Sequence, residues 1–131
     1  MALPLDEALR LFTPEGERNW VDHWAPRYAE DQADDTAPGT VFTTDAGGMV
    51  TIWVVSDRRT DGFRYVRVAP GHTAGTVTIS GTATGHDTSI VTVRYDLSAL
   101  SAVGEDFLTT MAGGFAGFLA GWESAIAELL G

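Results

Sequence analysis

The sequence predicts an α+β domain in which a curved antiparallel sheet is wrapped around a long C-terminal helix, with two short N-terminal helices ahead of the sheet. Three observations predict it. From Glu105 to Leu130, Phe107, Met111, Phe115, Phe118, Trp122, Ile126 and Leu129 recur at steps of three and four, flanked by Leu108 and Leu119. From Gly39 to Tyr95, β-branched and aromatic runs alternate with tight-turn residues. The helical stripe is too apolar to face water, and a meander of short strands is the natural cover for it.

The chain opens on Leu3-Pro4-Leu5, which reads as the remnant of an edge strand, where proline is tolerated. Asp6 is placed as the N-cap of a short helix, with Glu7 in its first turn and Ala8, Leu9, Leu11 and Phe12 as apolar surface. Thr13-Pro14 starts a second helix, Thr as cap and Pro at the first helical position. Trp20 and Val21 give that helix something to bury. Glu15, Glu17 and Asp22 flank it, either as ordinary partners of the helix dipole or as a general base. Arg27 to Pro38 is polar and acidic and reads as a surface loop, either a plain connector or a lid.

Strands are expected at Thr40–Thr44, Val50–Asp57, Phe63–Ala69, Thr76–Thr82 and Ile90–Tyr95. The turns between them fall at Asp45–Gly48, Thr60–Gly62, Pro70-Gly71 and Gly85–Asp87. The second strand is apolar on both faces and so belongs near the sheet centre. In the last two, Val77, Ile79, Val91, Val93 and Tyr95 should face inward, with the Thr and Arg faces in water. For Phe63–Ala69 the alternation leaves open whether Tyr65 and Arg67 or Val66 and Val68 point inward.

The length of 131 residues fits a single domain with one core. The chain carries 18 acidic residues against 8 basic ones, all arginine, for a formal charge of −10 and a pI near 4.4. Such a surface repels phosphate backbones, so no nucleic-acid partner is expected. Cysteine is absent, which excludes disulfides and thiolate chemistry. No signal-like segment or bilayer-length apolar run is present, so no membrane insertion and a cytoplasmic location are expected.

The run Leu11-Phe12-Thr13-Pro14-Glu15-Gly16-Glu17-Arg18, with Trp20 and Trp24-Ala25-Pro26 behind it, carries a resemblance. So do Gly39–Thr44, Trp53-Val54-Val55, Tyr65–Gly71, Tyr95–Leu100 and Trp122-Glu123. Together they resemble the SRPBCC domain proteins, the START, Bet v 1 and polyketide-cyclase-like superfamily with the helix-grip fold. That resemblance implies a deep apolar cavity between sheet and C-terminal helix, and binding of lipids, sterols or polyketides. It also implies that some members are cyclases or dehydratases. The usual first strand is nearly absent here, which leaves an edge that a second copy of the chain, a homodimer, would cover.

The candidate ligand-binding residues are Trp20, Trp24, Phe42, Trp53, Tyr65, Arg67, Tyr95, Met111, Phe115 and Phe118. Each aromatic among them has core packing as its plain alternative. Arg67 and Tyr65 are the donors an aldol-type cyclisation would use, if Arg67 points inward; otherwise it sits outside, paired with an acid. Arg94, beside Thr92 on its face, should meet solvent. His23, His72 and His86 share no ligand spacing, so no metal is expected; only His23 is placed to face a cavity mouth. There is no phosphate cradle, nucleophile elbow or cofactor motif. Gly113, Gly117 and Gly121 line the helix face opposite the stripe, as a contact for a partner helix or as a merely exposed face. Three functions follow: a hydrophobic small-molecule binder, a cyclase or dehydratase, and a protein-interaction module of the Hsp90-activator type.

Overall fold

A computed structural model describes residues 1–31 and 34–131. Two short helices, α1 (Leu5–Arg10) and α2 (Pro14–Glu17), precede six strands, and the helix α3 (Ala102–Leu130) follows them. The strands are β1 (Arg27–Tyr28), β2 (Val41–Ala46), β3 (Met49–Arg59), β4 (Gly62–Ala69), β5 (Thr73–Gly85) and β6 (Thr88–Ala99). They form one open antiparallel sheet in the order β1-β2-β3-β4-β5-β6.

Local chemistry explains most boundaries. The Thr13 side chain accepts the Gly16 amide at 3.0 Å and Pro14 opens α2, as the sequence predicts. The cap of α1 lies two residues earlier than expected: Pro4 holds that position and Asp6 sits in the first turn. The helix α2 is only one turn long, and Trp20 is buried from the coil beyond it. Gly47 and Gly48 both take positive φ, which lets a two-residue turn join β2 to β3 with the twist the strands require. The strands run longer than their turn residues suggest, β5 starting at Thr73 and β6 reaching Ala99.

β1 corrects the reading of Arg27–Pro38 as loop. Arg27 and Tyr28 pair with Thr43 and Phe42, and Ala29 donates to the Val41 carbonyl. Farther on, Asp34 binds Arg58, and the Asp35 carboxylate accepts the Glu15 amide at 2.9 Å. Part of the expected lid, Gln32 and Ala33, lies outside the described residues.

The sheet's inner face carries the core. Phe42, Trp53, Val55, Phe63, Tyr65, Val77 and Ile79 are buried there. Arg67 is buried too, which settles the face of β4: Tyr65 and Arg67 point inward, while Val66 and Val68 stay half-buried outside. The reading of Arg67 as an outward, acid-paired residue is therefore overturned. Leu9, Phe12 and Trp20 from the N-terminal segment close one end of this core together with Ile126 of α3. Each large apolar side chain so covered stabilises the fold by about 1.5–3 kcal/mol. A register shift between Val55 and Asp57 leaves Ser56 unpaired against β4, a bulge that bends β3.

The helix α3 is held at its ends. Ser101 caps it, its hydroxyl accepting the Gly104 amide at 3.2 Å. Gly104 is buried against the His72 carbonyl, where a Cβ would collide, and Phe107 packs edge-on against the His72 ring. His72 is half-buried as a result. At the other end Ile126 is buried, and Trp122 packs on Phe12 and Trp20 with ring centroids 6.4 and 5.6 Å away. Between these anchors the stripe is only partly covered, contrary to the expectation that something covers all of it; Phe118 is 44 % exposed.

Candidate ligand cleft

The uncovered middle of α3 faces β6, and a cleft of about 610 Å³ opens between them. From β6 it takes Val93, Tyr95 and Leu97, with Thr92 and Arg94 at the rim; from α3 it takes Leu108, Met111, Ala112 and Phe115. The origin of the gap is geometric. β6 is the edge strand, so its inward residues are half-buried where those of β5 are buried. The helix, pinned at Gly104 and Ile126, does not descend onto them in between. The walls are apolar, and a ring edge, Phe115 against Tyr95 at 5.9 Å between centroids, closes one end.

Tyr95, Met111 and Phe115 thus stand at the cleft. Phe118 packs on Phe115 and Trp122 at the solvent side of the helix. The other sequence candidates lie deeper, the aromatic ones in two groups of packed rings. Phe42 stacks on Trp53 at 5.8 Å, and Tyr65 meets both edge-on. Half-buried, Trp24 contacts Phe42 and Trp53, and its indole donates to the Pro14 carbonyl at 2.8 Å. Trp20 sits between Phe12 and Trp122 and donates to the Leu11 carbonyl at 2.7 Å. These side chains fill the clasp on the β2–β4 side.

Two polar groups face the interior close to the cleft. The Tyr95 hydroxyl makes no hydrogen bond among the described residues, and burial raises its pKa well above that of a free phenol. Arg67 donates from Nη1 to the Thr73 hydroxyl at 3.0 Å, and its guanidinium lies 5.5 Å from the centre of the Trp53 ring. It has no carboxylate partner among the described residues, and burial lowers its pKa. On the inner face the register runs Trp53, Arg67, Gly75, Leu97 across four strands. Gly75 carries no side chain, so β5 places nothing between Arg67 and the Leu97 wall of the cleft.

Tyr65 is already engaged, its hydroxyl donating to the Phe12 carbonyl at 3.2 Å. Glu17 is the residue the sequence undervalued. Its side chain is half-buried, and the desolvation raises its pKa well above the usual carboxylate range. Its charge is felt at both Tyr65 and Tyr95, raising the pKa of each after burial itself. Glu15, two residues earlier and on the outside, goes the other way: hydrogen bonds from Tyr28 and Arg18 lower its pKa. Position in α2 does not separate the two acids; what packs on each does.

His23 is exposed, with a left-handed φ of 59°, and His86 lies exposed in the β5–β6 turn. Gly113, Gly117 and Gly121 face open space, with no neighbouring atom within 4 Å of where a Cβ would stand. No group of His, Asp or Glu among the described residues is arranged to hold a metal ion. No helix among them is long and apolar enough to cross a membrane. Comparison with protein-family models, with curated proteins and with solved structures finds no match for this chain.

Proposed function

We propose that this chain binds a hydrophobic small molecule, a lipid or polyketide-like compound, between β6 and α3, and that its architecture is a helix-grip fold of the SRPBCC type. The observation that carries the reading is the cleft of about 610 Å³ under the unburied middle of an otherwise anchored helix. Its volume lies within the range of small-molecule sites, and its walls are Val93, Leu97, Leu108, Met111 and Phe115 with one phenol, Tyr95. Arg67, reached over Gly75, offers Nε and Nη2, which bond no described residue, to a polar end of the ligand.

The carrier reading is favoured over the cyclase or dehydratase reading by the state of the two expected donors. Tyr65, the expected proton donor, is tied to the Phe12 carbonyl and does not line the cleft, which leaves Arg67 to anchor a polar end without the paired donor a cyclisation needs. The cleft equally favours it over the interaction-module reading, in which the space would be plugged. Native mass spectrometry of freshly purified protein tests the proposal. A retained mass of a few hundred daltons, released by organic solvent, is expected. Protein that carries nothing and takes up neither fatty acids nor aromatic polyketides added in excess would overturn it.

A further inference from the structure

The free edge of the sheet has a defined orientation. Ser89 donates its amide to the Met1 carbonyl at 3.0 Å, and its carbonyl accepts from the Met1 ammonium at 2.6 Å. Its peptide groups therefore point away from β5. Because the direction alternates along a strand, those of Val91, Val93, Tyr95, Leu97 and Ala99 point the same way. Leu100 fits the alternation, since its amide donates to the His72 carbonyl at 2.8 Å, on the β5 side. Past Ser89, no strand pairs with this edge among the described residues.

The sequence along that edge is a chemical palindrome about Tyr95: Ile90-Val91-Thr92-Val93-Arg94-Tyr95-Asp96-Leu97-Ser98-Ala99-Leu100. We propose that β6 pairs antiparallel with β6 of a second copy about a two-fold axis at Tyr95, joining two sheets into one. In that register Arg94 of each copy lies opposite Asp96 of the other, two ion pairs made by one symmetry operation. Thr92 lies opposite Ser98, and Val93 opposite Leu97. Ile90 lies opposite Leu100, and these two apolar side chains are 58 % and 52 % exposed. The axis falls on a residue whose peptide groups face outward, as a hydrogen-bonded pair requires, and about ten main-chain hydrogen bonds result. Moving the axis one pair along, to Val93 or Leu97, sets Arg94 against Thr92 or Leu100 and loses the charge match.

Within one copy Arg94 already bonds Asp96, at 2.8 Å from Nε, but both side chains are exposed and the pair contributes little there. Across the two-fold the same groups are exchanged rather than lost. The second strand also walls the open side of the cleft at Val93, Tyr95 and Leu97. The proposal stands on the edge and its sequence, whether or not the cleft holds a ligand.

Sedimentation equilibrium of the full chain tests it. The wild type should dimerise. Arg94→Asp and Asp96→Arg, each of which sets like charges opposite one another twice, should raise the dimer dissociation constant about tenfold or more. The double exchange Arg94→Asp with Asp96→Arg should restore it. Hydrogen exchange reads the same contact without mutation: the amides of Val91, Val93, Tyr95 and Leu97 should gain protection as protein concentration rises. A wild type that stays monomeric, single reversals without effect, an exchange that does not rescue, or concentration-independent amides would each overturn the proposal.

Discussion

Arg67 is a cation placed where the sheet has no anion to offer. Its only hydrogen-bonded support among the described residues is the Thr73 hydroxyl, and Thr73 is fully buried. Removing one partner of a buried polar pair costs more than removing both, because the survivor loses its solvation without replacement. Thr73→Val should therefore destabilise the wild type by about 1–3 kcal/mol, and clearly less in an Arg67→Met background, by chemical denaturation. Equal losses in both backgrounds would mean that the bond contributes nothing. Glu17 gives a second prediction at this scale. Its pKa is raised in the folded chain, so the folded state holds the proton more tightly than the unfolded one. Stability from this group is complete below the ordinary carboxylate range and falls as pH rises toward the raised value. Glu17→Gln should raise the melting temperature at pH 7–8 and leave it unchanged near pH 4, by calorimetry. A difference that grows toward low pH would contradict the burial of this carboxylate. Neither residue's role was legible in the sequence. The alternation in β4 is apolar on both faces, with Val66 and Val68 half-buried outside, so it could not orient Arg67. Glu15 and Glu17 look alike as first-turn acids until tertiary packing separates them.

Among the elements, α3 shows how a pattern can be right and its consequence incomplete. The stripe from Phe107 to Leu129 forms one face of one helix, as its spacing dictates. Spacing says nothing of how closely the sheet follows it, and only the ends are pressed down. Ile126→Ala should cost about 2–4 kcal/mol, whereas Phe118→Ala should cost under about 1 kcal/mol, since its ring already faces water. Comparable losses at the two positions, by urea unfolding, would place the helix differently. Gly117 is open on all sides, so Gly117→Ala should stabilise the chain by up to about 1 kcal/mol. A destabilised or dissociated Ala variant would instead put a partner against that face. The strands were legible from β-branched runs and glycine turns, while β1 was not. Its two residues lie in an acidic, polar stretch and join the sheet through backbone bonds to Val41 and its neighbours, which leave no side-chain signature.

For the molecule as a whole, the architecture was readable because short turns join β2 to β6, with positive-φ glycines at Gly47, Gly48 and Gly71, and neighbours in sequence became neighbours in the sheet. The cleft was foreseen only as a gap somewhere between sheet and helix. Its position at the edge strand follows from where the meander stops, and Val93, Leu97, Leu108 and Ala112 were not among the residues expected to line it. The account rests on that space being occupied by an apolar molecule. Titration with a fluorescent fatty acid measures this most directly, comparing the wild type with Ala112→Trp, which fills the cleft, and Thr109→Trp, which adds the same bulk on the exposed side of the helix. Saturable binding is predicted in the wild type and Thr109→Trp, with at least a tenfold loss in Ala112→Trp. Equal binding by all three proteins, or by none, would contradict it.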